Sequence, residues 1–410
     1  MRSVLVTALL CLIAGASPIP STEYAARRAA LRKDLHGAII LFGRTEGKDV
    51  PYAALQEPNF YYLTGWTEPN AILLITPNED TLFLPHHDKQ SESFTGSRAS
   101  AEDRNVQTAT GFDHVLPREK FESAFLKAMD GWEQVFALSG QPETAKLQDS
   151  YPFRTFSDPS LMIAKLRVKK SPAEIDAIQH STDVTVQGHL AAWKRMSGGL
   201  HEYQIAATFT NVFLENGCER HAYDPIVGSG PNSTVLHYSA NKRRMDSGEI
   251  VVMDMAAECD EYASDITRTI PVSGKFTPRQ REIYEVVLGA QRAAIAAVKP
   301  GAIMGGPDNS LQKIAKEYMD AHGKDLHGQP LGKYFIHGLG HPVGIQVHDP
   351  NASGPLQAGM VITIEPGIYI PEENIGVRIE DVVLVTDTGC RVLSAALPKE
   401  PDEIETAMAR

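Results

Sequence analysis

Carboxylates placed where a chain should be extended and buried restrict its folding more than any count of residue types. The stretch VVMDMAAECDEYASDITRTIPV (Val251–Val272) sets Asp254 and Asp265 in two runs rich in valine, isoleucine and threonine. Such residues favour a pleated, half-buried strand, from which aspartate is depleted. The short polar Cys259-Asp260-Glu261 between the runs predicts a hairpin. A two-residue turn at Cys259-Asp260 sets Glu258 against Glu261, Ala256 against Ala263 and Asp254 directly against Asp265. Opposed Cβ atoms lie about 4.5–5.5 Å apart, where like charges repel. Burial adds a desolvation cost unless a positive group intervenes.

The arrangement recurs in GMVITIEPGIYIPEENIGVRIEDVVLV (Gly359–Val385). Two apolar runs flank Pro371-Glu372-Glu373-Asn374, and pairing Ile370 with Ile375 and Tyr369 with Gly376 brings Glu365 opposite Glu380. Four converging carboxylates repel one another unless cations hold them. Two divalent ions turn the carboxylates into ligands, and a pair about 3.5–4 Å apart can clamp the attacking and leaving oxygens of a hydrolysis. Oxygen-rich ligation favours manganese over copper and leaves cobalt, iron and zinc open.

FIHGLGHPVGIQVHD adds His337, His341 and His348. The spacing of the first two would suit one face of a helix, but Gly338, Gly340, Pro342 and Gly344 predict a loop. Such a loop can bring one imidazole to a metal and leave the others around it. His237, in VLHYS, is a further candidate near the first hairpin.

With 410 residues and 42% hydrophobic content, the chain can bury two cores. The strands GAIILFG, AILLITP, TLFLP and QVFALSG alternate with helical patterns at Tyr24–Lys33 and Phe121–Met129, which predicts an α/β domain over residues 22–157. Ser171-Pro172 with Glu174 has the form of a capping box opening a long helix. Residues 158–410 are therefore expected to form an α+β domain with antiparallel strands and flanking helices.

A net charge of −12 argues against a nucleic-acid binder, whose footprint is basic. The start Met1-Arg2-Ser3, the uncharged Val4–Gly15 and the small-residue site Ala14-Gly15-Ala16 predict a signal peptide over residues 1–16. That apolar run is shorter than the roughly 20 residues of a membrane span. A secreted or periplasmic protein is expected, with no stable membrane insertion after cleavage. Of the four cysteines, Cys218, Cys259 and Cys390 would remain. Odd in number and far apart, they are expected as small buried apolar residues and not as a disulfide framework.

The order Asp254, Asp265, His341, Glu365, Glu380, with the strings DITRT, HGLGH, TIEPG and RIED, resembles the ligand set of the pita-bread metallopeptidases over roughly Pro172 to Glu405. That family includes methionine aminopeptidase, prolidase and aminopeptidase P. The resemblance implies that Asp254 chelates one metal, that Asp265 and Glu380 bridge, and that His341 and Glu365 complete the other. NFYYLTGWTEPNAILLI resembles the amino-terminal domain of the aminopeptidase P and prolidase branch, and IVGSGPNSTVLHY resembles aminopeptidase P in particular.

The implied activity is release of the residue ahead of a proline from proline-containing peptides. Glu365 would carry the proton, and His237 and His348 would donate hydrogen bonds to substrate or developing oxyanion. His337 and Arg378 would orient substrate or ligands, with Arg378 bracing its neighbour Glu380 as one alternative. A dipeptide-specific prolidase shares every catalytic residue. A non-catalytic peptide-binding protein of the same fold is the other alternative, disfavoured because all five ligands are present. The link between Tyr369 and Gly376 is shorter than in bacterial aminopeptidases P, which leaves the length of the substrate open. The resemblance also leaves a homo-oligomer open.

Overall fold

The computed structural model describes residues 19–46, 55–351 and 354–409. The expected signal peptide lies outside the described residues. The chain divides into two compact units between Ile163 and Ala164. Among the described residues, no helix is long and apolar enough to cross a membrane.

The first unit is built on one mixed sheet. Its strands are β1 (Ala38–Phe42), β2 (Ile72–Ile75), β3 (Asp80–Leu84), β4 (His114–Pro117), β5 (Gln134–Ala137) and β6 (Thr155–Ser157), in the order β4-β3-β2-β1-β5-β6. β1 runs antiparallel to β2 and parallel to β5. Every residue of β1, β2 and β3 is buried, which is why β1 and β2 read as unbroken apolar runs and not as alternating ones. Phe121 and Phe125 of the helix Phe121–Ala128 pack on Ile40, Phe42 and Phe83.

The second unit opens with the helix Pro172–Arg195, capped by Ser171 and Glu174 in a complete capping box. Its strands are β7 (Arg220–His221), β8 (Ile226–Ser229), β9 (Ile250–Asp254), β10 (Ala257–Cys259), β11 (Tyr262–Ala263), β12 (Thr267–Pro271), β13 (Val361–Ile364), β14 (Gly367–Ile370), β15 (Ile375–Arg378), β16 (Asp381–Val385) and β17 (Cys390–Val392). They form small sheets in the orders β11-β10-β7, β12-β9-β8, β13-β16-β17 and β14-β15. Every named strand pair in them is antiparallel. The α/β unit is thus followed by an α+β unit, as expected.

The second hairpin has the expected register. Tyr369 pairs with Gly376 and Ile370 with Ile375, and Ile364 pairs with Asp381 beyond the break. Counting inward from either ladder sets Glu365 against Glu380. The first hairpin differs. Cys259 pairs with Tyr262 and Asp254 with Thr267, so the register is two residues from the expected one. The turn is Asp260-Glu261, both at positive φ (53° and 65°). A two-residue hairpin turn of this type favours Asp over a bulky residue at its first position, and the expected turn would have forced Cys259 there. A slip of two keeps every side chain on its face, because the strand period is two. Asp265 is therefore a diagonal neighbour of Asp254 and still points the same way.

The expectation for the cysteines is overturned. Cys218 and Cys259 form a disulfide, with Cα atoms 4.3 Å apart, and Cys390 is free. β10 pairs with β7 through Glu258–Arg220 and Ala257–His221. That register carries Cys259 past Glu219 to Cys218. A cross-strand pairing of this kind leaves no trace in sequence spacing.

Candidate metal centre

Both carboxylate pairs sit where a ladder breaks. β9 ends at Asp254 and β12 begins at Thr267, so Asp265 lies in the gap as the chain crosses from one sheet to another. Glu365 and Glu380 occupy the equivalent gap between the β13–β16 and β14–β15 ladders. At a break, a side chain can turn away from the sheet without costing a ladder bond. The two hairpins are then tied together. The Glu380 N–H donates to Thr267 O at 3.0 Å, and the Arg378 N–H donates to Thr269 Oγ1 at 3.0 Å.

His341 comes from a loop, as expected from its glycines. The Thr363 N–H donates to His341 O and the Glu365 N–H to Leu339 O, both at 2.8 Å, so the loop lies along β13. Gly340 permits this approach, since a Cβ there would stand 2.1 Å from Thr363 O. His341 Nε2 consequently lies 3.3 Å from Asp265 Oδ2 and 3.6 Å from Glu365 Oε1. Asp265, His341 and Glu380 each offer a ligand atom within 4.8 Å of the others.

These groups line a cavity of about 600 Å³, with Asp254, Glu365, Arg378, His237, His337 and His348 also on its wall. All nine residues expected as metal ligands or catalytic groups, Glu365 being expected in both roles, thus lie at one place.

Electrostatics make the demand for cations explicit. Burial pushes the Glu365 carboxyl up to about 7, although His341 and Arg378 oppose the shift. Burial, then the charges of Asp265, Glu365 and Asp254, raise Glu380 well above the carboxylate range. Asp254 is also raised by burial, against the pull of Arg378. Burial alone would lower His341, but Asp265 and Glu365 outweigh it and hold the imidazole up at about 9. A proton held this firmly marks the position where a metal ion would compete for the same nitrogen. Among the described residues on the cavity wall, Arg378 is the permanent positive charge, against five carboxylates, Asp224 included. The donor set therefore fits divalent cations.

The surrounding hydrogen bonds correct one expectation and add residues that the sequence did not single out. Arg378 does not brace Glu380 through its side chain. Its Nη2 donates to Asp254 Oδ2 at 2.6 Å and its Nε to Thr267 Oγ1 at 3.1 Å. Two positions apart, Arg378 and Glu380 share a face of the strand and line the same cavity, yet their hydrogen-bond partners differ. Glu380 Oε2 instead accepts from Thr267 Oγ1 at 2.7 Å. Thr267 follows Asp265 by two residues, so strand parity alone could have named it. The Tyr223 hydroxyl bonds to Asp254 and, at 2.7 Å, to Asp265 Oδ1. Nothing in its local sequence marks that role.

His337 is engaged on both nitrogens, by Gly338 O at 2.8 Å and by the Tyr369 hydroxyl at 2.9 Å. Arg378 Nη1 donates to the same hydroxyl at 2.9 Å. Burial lowers the His337 pKa to about 4, so the ring is neutral near pH 7. With Arg378 a pure donor, the chain of bonds has one consistent sense. Arg378 donates to Tyr369, Tyr369 to His337 Nε2, and His337 Nδ1 to Gly338 O. Tyr369 shares strand parity with Glu365 and was legible to that extent. His348 sits edge-on to His341, ring centroids 4.1 Å apart, and burial lowers its pKa too.

The chain is similar to known proteins along most of its length. The model for metallopeptidase family M24 matches residues 176–387, and that for the aminopeptidase P N-terminal domain matches residues 24–136. An Xaa-Pro aminopeptidase of Haemophilus influenzae is 34% identical, over 95% of this chain and 98% of its own. An Xaa-Pro dipeptidase of Pyrococcus horikoshii is also 34% identical, over 83% of this chain and 91% of its own. The structure of Escherichia coli aminopeptidase P with the inhibitor Pro-Leu is 29% identical, with a TM-score of 0.83 over 95% of this chain and 98% of that one. The chain belongs to metallopeptidase family M24, with an aminopeptidase P N-terminal domain ahead of a pita-bread catalytic domain.

Proposed function

We propose that this hydrolase removes the N-terminal residue from peptides with proline in second position. The observation that carries the proposal is the convergence of Asp254, Asp265, His341, Glu365 and Glu380 with His237 and His348 on one cavity, in a chain that matches Xaa-Pro aminopeptidases along nearly their whole length. Asp254, Asp265, His341, Glu365 and Glu380 would hold two divalent ions, with manganese favoured by the oxygen-rich donor set. When bound, such ions polarise a carbonyl and lower the pKa of water.

The chain's own residues supply the rest. Glu365 accepts a proton and returns it to the leaving nitrogen. Neutral His348 can donate one N–H toward the carbonyl oxygen, and His237 faces the same space. The Arg378–Tyr369–His337 chain fixes Arg378 and His337 in the wall of the same cavity. Proline lacks an amide donor and has φ fixed near −65°, so a preformed pocket can select it.

A dipeptidase shares all these groups, and the short Pro371–Asn374 link between β14 and β15 keeps that second reading in play. The deciding experiment compares kcat/KM for Xaa-Pro, Xaa-Pro-Xaa and Xaa-Ala-Xaa peptides with the same metal. Faster cleavage of the tripeptide with proline is expected. Cleavage confined to the dipeptide would establish the dipeptidase, and equal rates with alanine would remove the proline pocket.

Export is part of the same proposal. The signal-like first 16 residues and the Cys218–Cys259 disulfide both support an oxidising, extracytoplasmic compartment. Cell fractionation with a mass measurement of the mature N-terminus tests it; full-length protein confined to the cytoplasm would refute it.

A further inference from the structure

The loop between His341 and His348 closes around a carboxylate that points away from the active cavity. His348 lines the cavity, whereas the next residue, Asp349, is buried. Arg167 Nη2 donates to Asp349 Oδ1 at 2.5 Å and Lys170 Nζ to Asp349 Oδ2 at 3.0 Å. All three side chains are no more than 2% exposed. The same carboxylate accepts from the Gln346 N–H at 3.3 Å, while the Asp349 N–H reaches back to Pro342 O at 3.0 Å. Arg167 also holds Gln346 Oε1 at 2.9 Å. Gly344 packs against this carboxylate so closely that a Cβ would lie 2.6 Å from Asp349 Oδ2.

A buried charge cluster of this kind is a poor source of net stability, because desolvation offsets the attraction. Its effect is to fix one conformation, since each member is lost if the loop shifts. The residue it fixes next in the chain is His348.

We infer that Asp349, gripped by Arg167 and Lys170, is a positioning residue that sets the aim of His348 into the active cavity. The inference rests on the role proposed above for His348. It gives the RVKKS segment just ahead of the first catalytic helix a part in turnover, although neither Arg167 nor Lys170 is among the residues lining the cavity. Asp349 touches no substrate under this scheme; it acts through its neighbour.

The test is a double-mutant cycle in metal-loaded enzyme, with bound metal measured by elemental analysis alongside kcat and KM. Asp349→Asn should lower kcat by about 10–100-fold while the bound metal stays at its wild-type level. Adding it to His348→Ala should cost little more than His348→Ala alone, because both act on one interaction. Should Asp349→Asn fail to accumulate as folded protein, Lys170→Met is scored the same way, and Lys170→Arg should restore turnover. An equal fold-loss from Asp349→Asn with and without His348 would overturn the inference. Loss of metal in step with kcat would also overturn it, since Asp349 would then be acting through His341. His348→Ala alone reports separately on the proposed role of that residue, and wild-type kcat there would refute that role and the inference with it.

Discussion

Arg378 and Asp254 are joined across the two hairpins by a 2.6 Å hydrogen bond, the guanidinium of one orienting the carboxylate of the other. Both side chains are nearly buried, 4% and 11% exposed. With the Tyr223 hydroxyl on Asp254 Oδ1, the bond fixes the orientation of the carboxylate. Arg378→Ala is therefore expected to lower kcat/KM by about 10–100-fold and to weaken metal binding. Lysine should not rescue it, because its single ammonium cannot reach Asp254, Thr267 and Tyr369 together. Unchanged kcat/KM in the alanine variant would exclude the orienting role.

Removing metal should abolish activity. Chelation followed by dialysis is expected to leave an inactive protein that manganese or cobalt restores. Asp265→Asn should reduce bound metal from about two ions per chain, because a bridging ligand loses both charge and geometry. Elemental analysis of the purified variant decides the point: two tightly held ions there would show that Asp265 is not a bridge.

The Cys218–Cys259 disulfide encloses a loop spanning 41 positions and should contribute about 2–4 kcal/mol. Cys218→Ser with Cys259→Ser is expected to lower Tm by roughly 5–10 °C without changing the bound metal. Both bond and effect are checked by mass spectrometry of the unreduced protein and by thermal melts. A double variant that melts with the wild type would mean the bond is absent or without consequence.

His221 provides a pH dependence away from the carboxylate centre. Burial lowers its pKa to about 4, with Asp224 opposing, and its ring packs on Phe213. The folded state thus binds its proton less readily than the unfolded state. Stability is full above the ordinary histidine range and falls as pH drops from about 6.5 toward 4, by an amount on the order of 3 kcal/mol. Urea unfolding of metal-free protein at pH 7, 5 and 4 should show a shallower loss for His221→Gln than for the wild type. Parallel curves would count against it.

The hairpin at Pro371–Asn374 was legible because its turn lies in plain view between two unbroken apolar runs. Its register followed by counting, and Glu365 faced Glu380 as a consequence. The first hairpin was legible in parity but not in register, since three polar residues, Cys259 to Glu261, allowed more than one two-residue turn. Backbone strain chose between them, placing Asp260 and Glu261 at positive φ.

What the amino-acid sequence alone determined was the content of the site: four carboxylates on strand faces, histidines in a glycine-rich loop, and two domains. These depend on periods of two residues and on local turn chemistry, which are local properties of a chain. Tertiary structure alone decided the partners. That Arg378 reaches Asp254 and not Glu380, that Tyr223 bonds to two aspartates, that Arg167 and Lys170 meet Asp349, and that Cys218 meets Cys259 all depend on contacts between segments far apart in sequence. Such contacts are set by how whole sheets and loops pack, and no local period encodes them.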